Sequence, residues 1–204
     1  MISKSPLGAA LVLVLAFAGP TLAQQRTADP AQVPAGTYQL EPSHTRVLFA
    51  VSHMGFSTWY GDFTHATGSL TLDPKAPAAS KLEVSVPVDS ISTTNAKLDG
   101  ELKAADWLDA GKYPTMTFTS RKVTVTAPGR ADVAGDLTLH GVTRPVTLHA
   151  RFNAGGPHPM SKVYTVGFEV SGKIKRSDFG VTKYVPLIGD DVDLIISAPF
   201  EKKG

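Results

Sequence analysis

From Thr37 onward apolar and polar residues alternate along the chain, and Gly, Pro, Asn and Asp interrupt the alternation at short intervals. Successive side chains of a strand point to opposite faces, so this pattern predicts half-buried antiparallel strands joined by turns. Val47, Phe49 and Val51 share one face, as do Leu70 and Leu72 before the Asp73-Pro74 turn, and then Leu82, Val84 and Val86. Met116 and Phe118 follow with Thr115, Thr117 and Thr119 opposite them, and then Val123 and Val125. Residues 136–148 read as two strands around a turn centred on Gly141, with Leu137 and Leu139 facing Val146 and Leu148. Val166, Phe168 and Val170, then Leu194, Ile196 and Ala198, end the series. About eight such strands suffice for a closed or nearly closed barrel, and closure removes the exposed edges of the sheet.

One stretch departs from period two. Residues 93–108 place Leu98, Leu102 and Ala105 on one helical face behind Thr and Asn capping residues, which predicts a short helix across one end of the barrel despite Gly100. Tyr113-Pro114 then forces an extended restart, because a residue before proline avoids the helical region.

The N-terminus carries a different signal. Lys4 precedes an uncharged run, residues 11–19, and Pro20-Thr21-Leu22-Ala23 ends in small residues suited to cleavage. This is the pattern of a secretory signal peptide, shorter than the roughly 20 apolar residues of a membrane-spanning helix. The expected organisation is a signal peptide at 1–23, a flexible Pro- and Ala-rich tether at 24–36, and one domain at 37–204. No stable membrane insertion is expected, and the predicted location is the periplasm.

Composition removes several function classes. The chain has no Cys, so neither disulfides nor thiol chemistry enters. A formal net charge of +2 with interspersed signs argues against a nucleic-acid partner. G-x-S-x-G, H-E-x-x-H, P-loop and G-x-G-x-x-G motifs are all absent. The six histidines show no close metal-ligand spacing; His44, His53 and His65 would have to converge from separate strands to hold a metal. Asp106, Asp109, Asp190, Asp191 and Asp193 are explained by helix ends and turns. Lys173 and Lys175 share a strand face ahead of Arg176, either a solvated edge or a cationic collar.

Whether such a barrel is filled by side chains or open to a ligand is left undecided by composition. A set of fragments in order, Tyr38-Gln-Leu-Glu-Pro-Ser-His44, Val51-Ser-His-Met-Gly55, Gly61-Asp-Phe63, Ser90-Ile-Ser-Thr93, Leu102-Lys-Ala-Ala-Asp-Trp-Leu108, Tyr113-Pro-Thr-Met-Thr-Phe118, Gly135-Asp-Leu-Thr-Leu-His-Gly-Val-Thr143 and Arg176-Ser-Asp-Phe-Gly180, resembles the YceI family of bacterial periplasmic proteins. The family's usual acidic residue and His-Ser opening stands here as Glu41 with His44-Thr45, a small departure. The resemblance implies an all-β, elongated lipocalin-like antiparallel barrel whose apolar channel holds a polyisoprenoid or similar long-chain, fatty-acid-like amphiphile. It implies binding, storage or transport and no catalysis, with no cofactor beyond the lipid. The alternatives are an enzyme with a converged His site and a packed-core, stress-protective interaction module. A homodimer is left open.

Inward parity predicts a channel lined by Phe49, Val51, Phe63, Leu70, Val84, Phe118, Leu139, Phe168 and Ile196. The mouth is assigned to His53, Met54, Phe56, Lys173, Lys175 and Arg176, with His53 as a polar group at a strand end, Met54 and Phe56 as an adaptable apolar lip and the last three as the collar.

Overall fold

A computed structural model describes residues 26–204; the expected signal peptide lies outside the described residues. Ten strands and one helix follow in the order β1 (Gly36–Leu40), β2 (Arg46–His53), β3 (Ser57–Phe63), β4 (Thr67–Leu72), β5 (Lys81–Pro87), α1 (Ala96–Lys103), β6 (Thr115–Ala127), β7 (Arg130–Leu139), β8 (Val142–Pro157), β9 (Tyr164–Lys175) and β10 (Ile188–Lys202). Eight of the strands close a ring in the order β1-β4-β5-β6-β7-β8-β9-β10, completed by Tyr38↔Lys202 and Leu40↔Phe200 between β1 and β10. The N-terminal part of β10 pairs instead with β2, from Ile196↔Val47 to Ile188↔His53, and β3 lies outside β2. Every pairing is antiparallel.

The expected faces turn inward only because β6 is irregular. Met116 and Phe118 are even-numbered, Val123 and Val125 odd-numbered, and both pairs border the interior. The register shift between Ser120↔Gly135 and Lys122↔Ala134 inserts the extra residue that switches the parity. At the β7–β8 turn His140 and Gly141 both have positive φ, 51° and 74°, the geometry of a two-residue hairpin that follows the twist of the flanking strands. A side chain at Gly141 would fall 2.4 Å from the Tyr113 ring, so glycine is required there for space as well as for φ.

Two expectations need correction. Residues 24–36 were to be a flexible tether, yet Thr27 exchanges two backbone hydrogen bonds of 2.8 Å with Gly155, and Val33 is buried in the core. Burial of Val33 and pairing to β8 outweigh the polar composition that suggested a loose segment. Helix α1 is also shorter than expected. Asn95 caps it, accepting from Lys97 N and Leu98 N at 3.1 and 3.3 Å, but Ala104 leaves the helical region at ψ 165°. The freed carbonyls of Lys103 and Ala104 take Ala110 N and Asp109 N, each at 3.0 Å, so Ala105 belongs to a turn.

Candidate functional site

The inward faces do not fill the barrel. A continuous cavity of about 970 Å³ runs from the β2–β3 tip and the 184–188 segment to the β6–β7 turn at Pro128 and Gly129. Its volume lies near the top of the roughly 300–1,000 Å³ range of small-molecule sites. The aliphatic and aromatic members of the alternating strands make almost all of its wall. Phe49, Val51, Phe63, Leu70, Val84, Phe118, Leu139, Phe168 and Ile196 all border it. Leu98 and Leu102 of α1 also face it, so the helix covers part of one end with its apolar side.

Glycines leave room for the large rings that the wall carries. At Gly135 an added Cβ would lie 2.6 Å from the Phe118 ring and 2.4 Å from Thr119 O. The ring therefore lies across the β7 backbone where any side chain would displace it.

The residues assigned to the mouth separate into three groups. His53 and Met54 border the cavity at the tip of the β2–β3 hairpin, where Met54 N donates to Leu187 O at 2.8 Å. Phe56, 91 % exposed, stands outside the lining, whereas Tyr184 and Leu187, also exposed, border the cavity and give this end an apolar rim. Lys173 and Lys175 do not border the cavity and form no collar. On β9 they alternate with Ile174 and with Arg176 just past the strand's end, both of which border the cavity, so strand pleating sends both ammonium groups to the outside. There Lys173 pairs with Asp193 at 3.0 Å and Lys175 with Asp191 at 3.2 Å. Hydrogen bonding to Asp191 raises the Lys175 pKa.

Arg176 is the cation that turns inward. Its Nε donates to Gly189 O at 2.8 Å, Nη1 to Val181 O at 2.9 Å and Nη2 to Ile188 O at 2.8 Å. These bonds pin the 181–189 segment to the end of β9. Ser177 continues the clamp, its backbone N and Oγ donating to Asp190 at 2.9 and 2.7 Å. Burial lowers the Arg176 pKa, opposed by the negative charge of Asp190. Trp107, in the turn after α1, stacks near Arg176 with its ring centre 5.5 Å from the guanidinium carbon. Sequence reasoning passed over Trp107, Tyr184 and Leu187 as site residues. The available signal was a large apolar or aromatic side chain in a turn with no strand face to explain it.

The histidines stay apart. His44 Nδ1 lies 2.6 Å from Glu41, His53 stacks on Trp59 with ring centres 5.7 Å apart, and His65 bonds Thr64 at 2.9 Å. Among the described residues no three His, Cys, Asp or Glu side chains gather to hold a metal ion. Nor is any helix among them long and apolar enough to cross a membrane.

An antiparallel eight-stranded barrel enclosing a long apolar channel, rimmed at one end by exposed apolar side chains, defines a lipocalin-like barrel protein. The family model of the YceI-like domain matches residues 38–200. The chain therefore belongs to the YceI-like family. It is 36 % identical over 197 residues to the UPF0312 protein YE1254 of Yersinia enterocolitica, covering 97 % of this chain and 96 % of that one. The crystal structure of the Campylobacter jejuni YCEI protein superposes with a TM-score of 0.67 at 30 % identity, over 75 % of this chain and 90 % of that one. A polyisoprenoid binding domain from Saccharophagus degradans shares the fold with a TM-score of 0.59 at 15 % identity, over 83 % of this chain and 100 % of that one.

Proposed function

We propose that this protein binds a polyisoprenoid or a similar long-chain amphiphilic lipid in its channel, without catalysis, as a carrier or store in the periplasm. The observation that carries this reading is the continuous apolar cavity of about 970 Å³ within a closed barrel. A tail of about 20 carbons buried there gains on the order of 16 kcal/mol gross, at roughly 0.8 kcal/mol per methylene. Association and ordering cost roughly 4–15 kcal/mol, so apolar burial alone sustains binding. The fold shared with a polyisoprenoid binding domain makes that ligand class the first to try. The nine wall residues above are the proposed tail contacts, and Met54, Phe56 and Leu187 the lip over which the tail enters.

Two measurements test the reading. Protein purified from its native periplasm is extracted with organic solvent and the extract analysed by mass spectrometry; a long-chain lipid at near one per protein is expected. No lipid in the extract, and no uptake of long-chain amphiphiles by the delipidated protein, would overturn it. The intact mass of the same material is expected to begin at Gln24, and a chain retaining residues 1–23 would remove the proposed export by a cleaved signal peptide.

A further inference from the structure

The polar exceptions in the channel wall include two neighbouring side chains at the end where β9 finishes and β10 begins. Arg176 and Trp107 both border the cavity, with 6 % and 8 % of their surfaces exposed. Three of the five guanidinium N–H groups are used by the carbonyls of Val181, Ile188 and Gly189, which leaves two. None of the ion pairs among the described residues includes Arg176. Its nearby carboxylate, Asp190, is turned to Ser177. Trp107 Nε1 is buried with no hydrogen-bond partner at all.

Pinning the 181–189 segment explains three bonds of Arg176. It explains neither the two guanidinium donors left over, whose charge Asp190 faces without a direct bond, nor the indole N–H left without an acceptor. Both omissions are costly in an apolar surrounding, and one negatively charged oxygen group placed between them removes both at once. We propose that this corner of the channel seats an anionic, oxygen-bearing head group, a carboxylate or a phosphate, of the bound lipid. Arg176 supplies the charge and spare donors, Trp107 Nε1 a further donor, and the tail runs from there toward the β6–β7 turn. The donors are numerous and acceptors scarce, so a cationic head is disfavoured at the same place.

This assignment rests on the channel reading and is tested separately from it. Hexadecanoate, hexadecyl phosphate, hexadecanol and hexadecyltrimethylammonium, which share one tail, compete with the fluorescent apolar probe N-phenyl-1-naphthylamine for the delipidated protein. At least one anionic chain is expected to bind about tenfold or more tightly than the alcohol, and the ammonium more weakly than the alcohol. The carboxylate and phosphate arms tell which anion the corner prefers. Trp107→Phe keeps the ring and deletes only the donor, so it leaves the fold a fair comparison. It is expected to cut the anion advantage about fivefold while the alcohol is unaffected. Equal affinity of anionic and alcohol heads overturns the assignment, and so does an anion advantage that Trp107→Phe leaves intact. Failure of every chain to displace the probe falls on the channel reading itself.

Discussion

Two walls of one barrel are built from the same alternating strands and end in different states. On one side Tyr38, Leu40, Phe63, Leu70, Phe152, Val166 and Phe200 form a large buried cluster that draws on β1, β3, β4 and the far ends of β8, β9 and β10. On the other, Phe118, Val133 and Leu148 form a small one on β6, β7 and β8, backed by Leu137, Val146, Val170 and Leu194. A close-packed domain of this size has one contiguous core. Here the core is divided by the channel, which both clusters border; the first also packs Tyr38 and Val166 wholly out of reach of the cavity and carries most of the stability, whereas Phe118, Val133 and Leu148 of the second all face the space.

The sharpest way to break this comparison is to truncate each wall in turn. Tyr38 is wholly buried, and its hydroxyl donates to Pro34 O at 2.5 Å; burial, with Tyr164 adding to it, pushes its pKa up to about 12. Tyr38→Ala is expected to cost about 3–5 kcal/mol in urea unfolding, the range for large aromatic truncations in packed cores. Leu148→Ala on the second wall extends a space that already exists and is expected to cost closer to its transfer energy, about 2 kcal/mol. Equal losses at the two sites would mean that the walls are packed alike.

Filling the channel reverses the emphasis. Ala150 borders the cavity between the small cluster and β9. Ala150→Phe is expected to weaken binding of a long-chain ligand about tenfold or more, while the unfolding free energy stays within about 1 kcal/mol of the parent's. A loss of about 1–3 kcal/mol in stability with ligand affinity unchanged is the signature of overpacking, and would make the second wall part of an ordinary core.

The acid sensitivity of the first wall sharpens the same contrast. Glu41 sits in the turn that leads β1 into β2. Partial burial pushes its pKa up, but backbone and side-chain hydrogen bonds from Ser43 and His44 outweigh it and bring the value down from 4.5 to about 2. The carboxylate is favoured by the fold, so its contribution is present above pH 4.5 and is lost as the pH falls toward about 2. Glu41→Gln is expected to lower stability on the order of 1 kcal/mol at neutral pH, solvent screening having reduced the full effect, and to flatten the acid limb between those values. An acid limb identical to the parent's would show that the turn is held by other means.

Strand existence and inward parity were legible because each strand buries one face, and a one-residue slip would expose every apolar member. Phe49, Phe118 and Phe168 could be placed on that rule alone. The parity switch in β6 was legible only in its outcome, since the bulge at residues 120–122 leaves no compositional mark beyond the change from even to odd. What failed depended on long-range contact. The docking of residues 27–33 needs Gly155 and the core around Val33, more than 100 residues away in part, and no local pattern encodes it. The collar failed for a local reason: KIKR was read as one cationic group, although the period-two rule applied to Phe168 and Val170 already places Arg176 inside and Lys173 and Lys175 outside.

That division of KIKR yields the smallest expected effect. Lys173 and Lys175 are exposed on the outer face of β9, paired with Asp193 and Asp191 on β10. Exposed pairs of this kind contribute roughly 0–1 kcal/mol, because water and salt screen the charges and both side chains lose freedom on pairing. Lys173→Gln with Lys175→Gln is therefore expected to change stability by less than about 1 kcal/mol, and less still at high salt. Affinity for anionic and neutral long-chain ligands alike is expected to stay unchanged, since the β-sheet itself stands between these ammonium groups and the channel. A selective loss of anionic ligand in this double variant would return the head group to the outer rim, whereas an unchanged profile leaves Arg176, just past the end of β9, as the cation that faces the ligand.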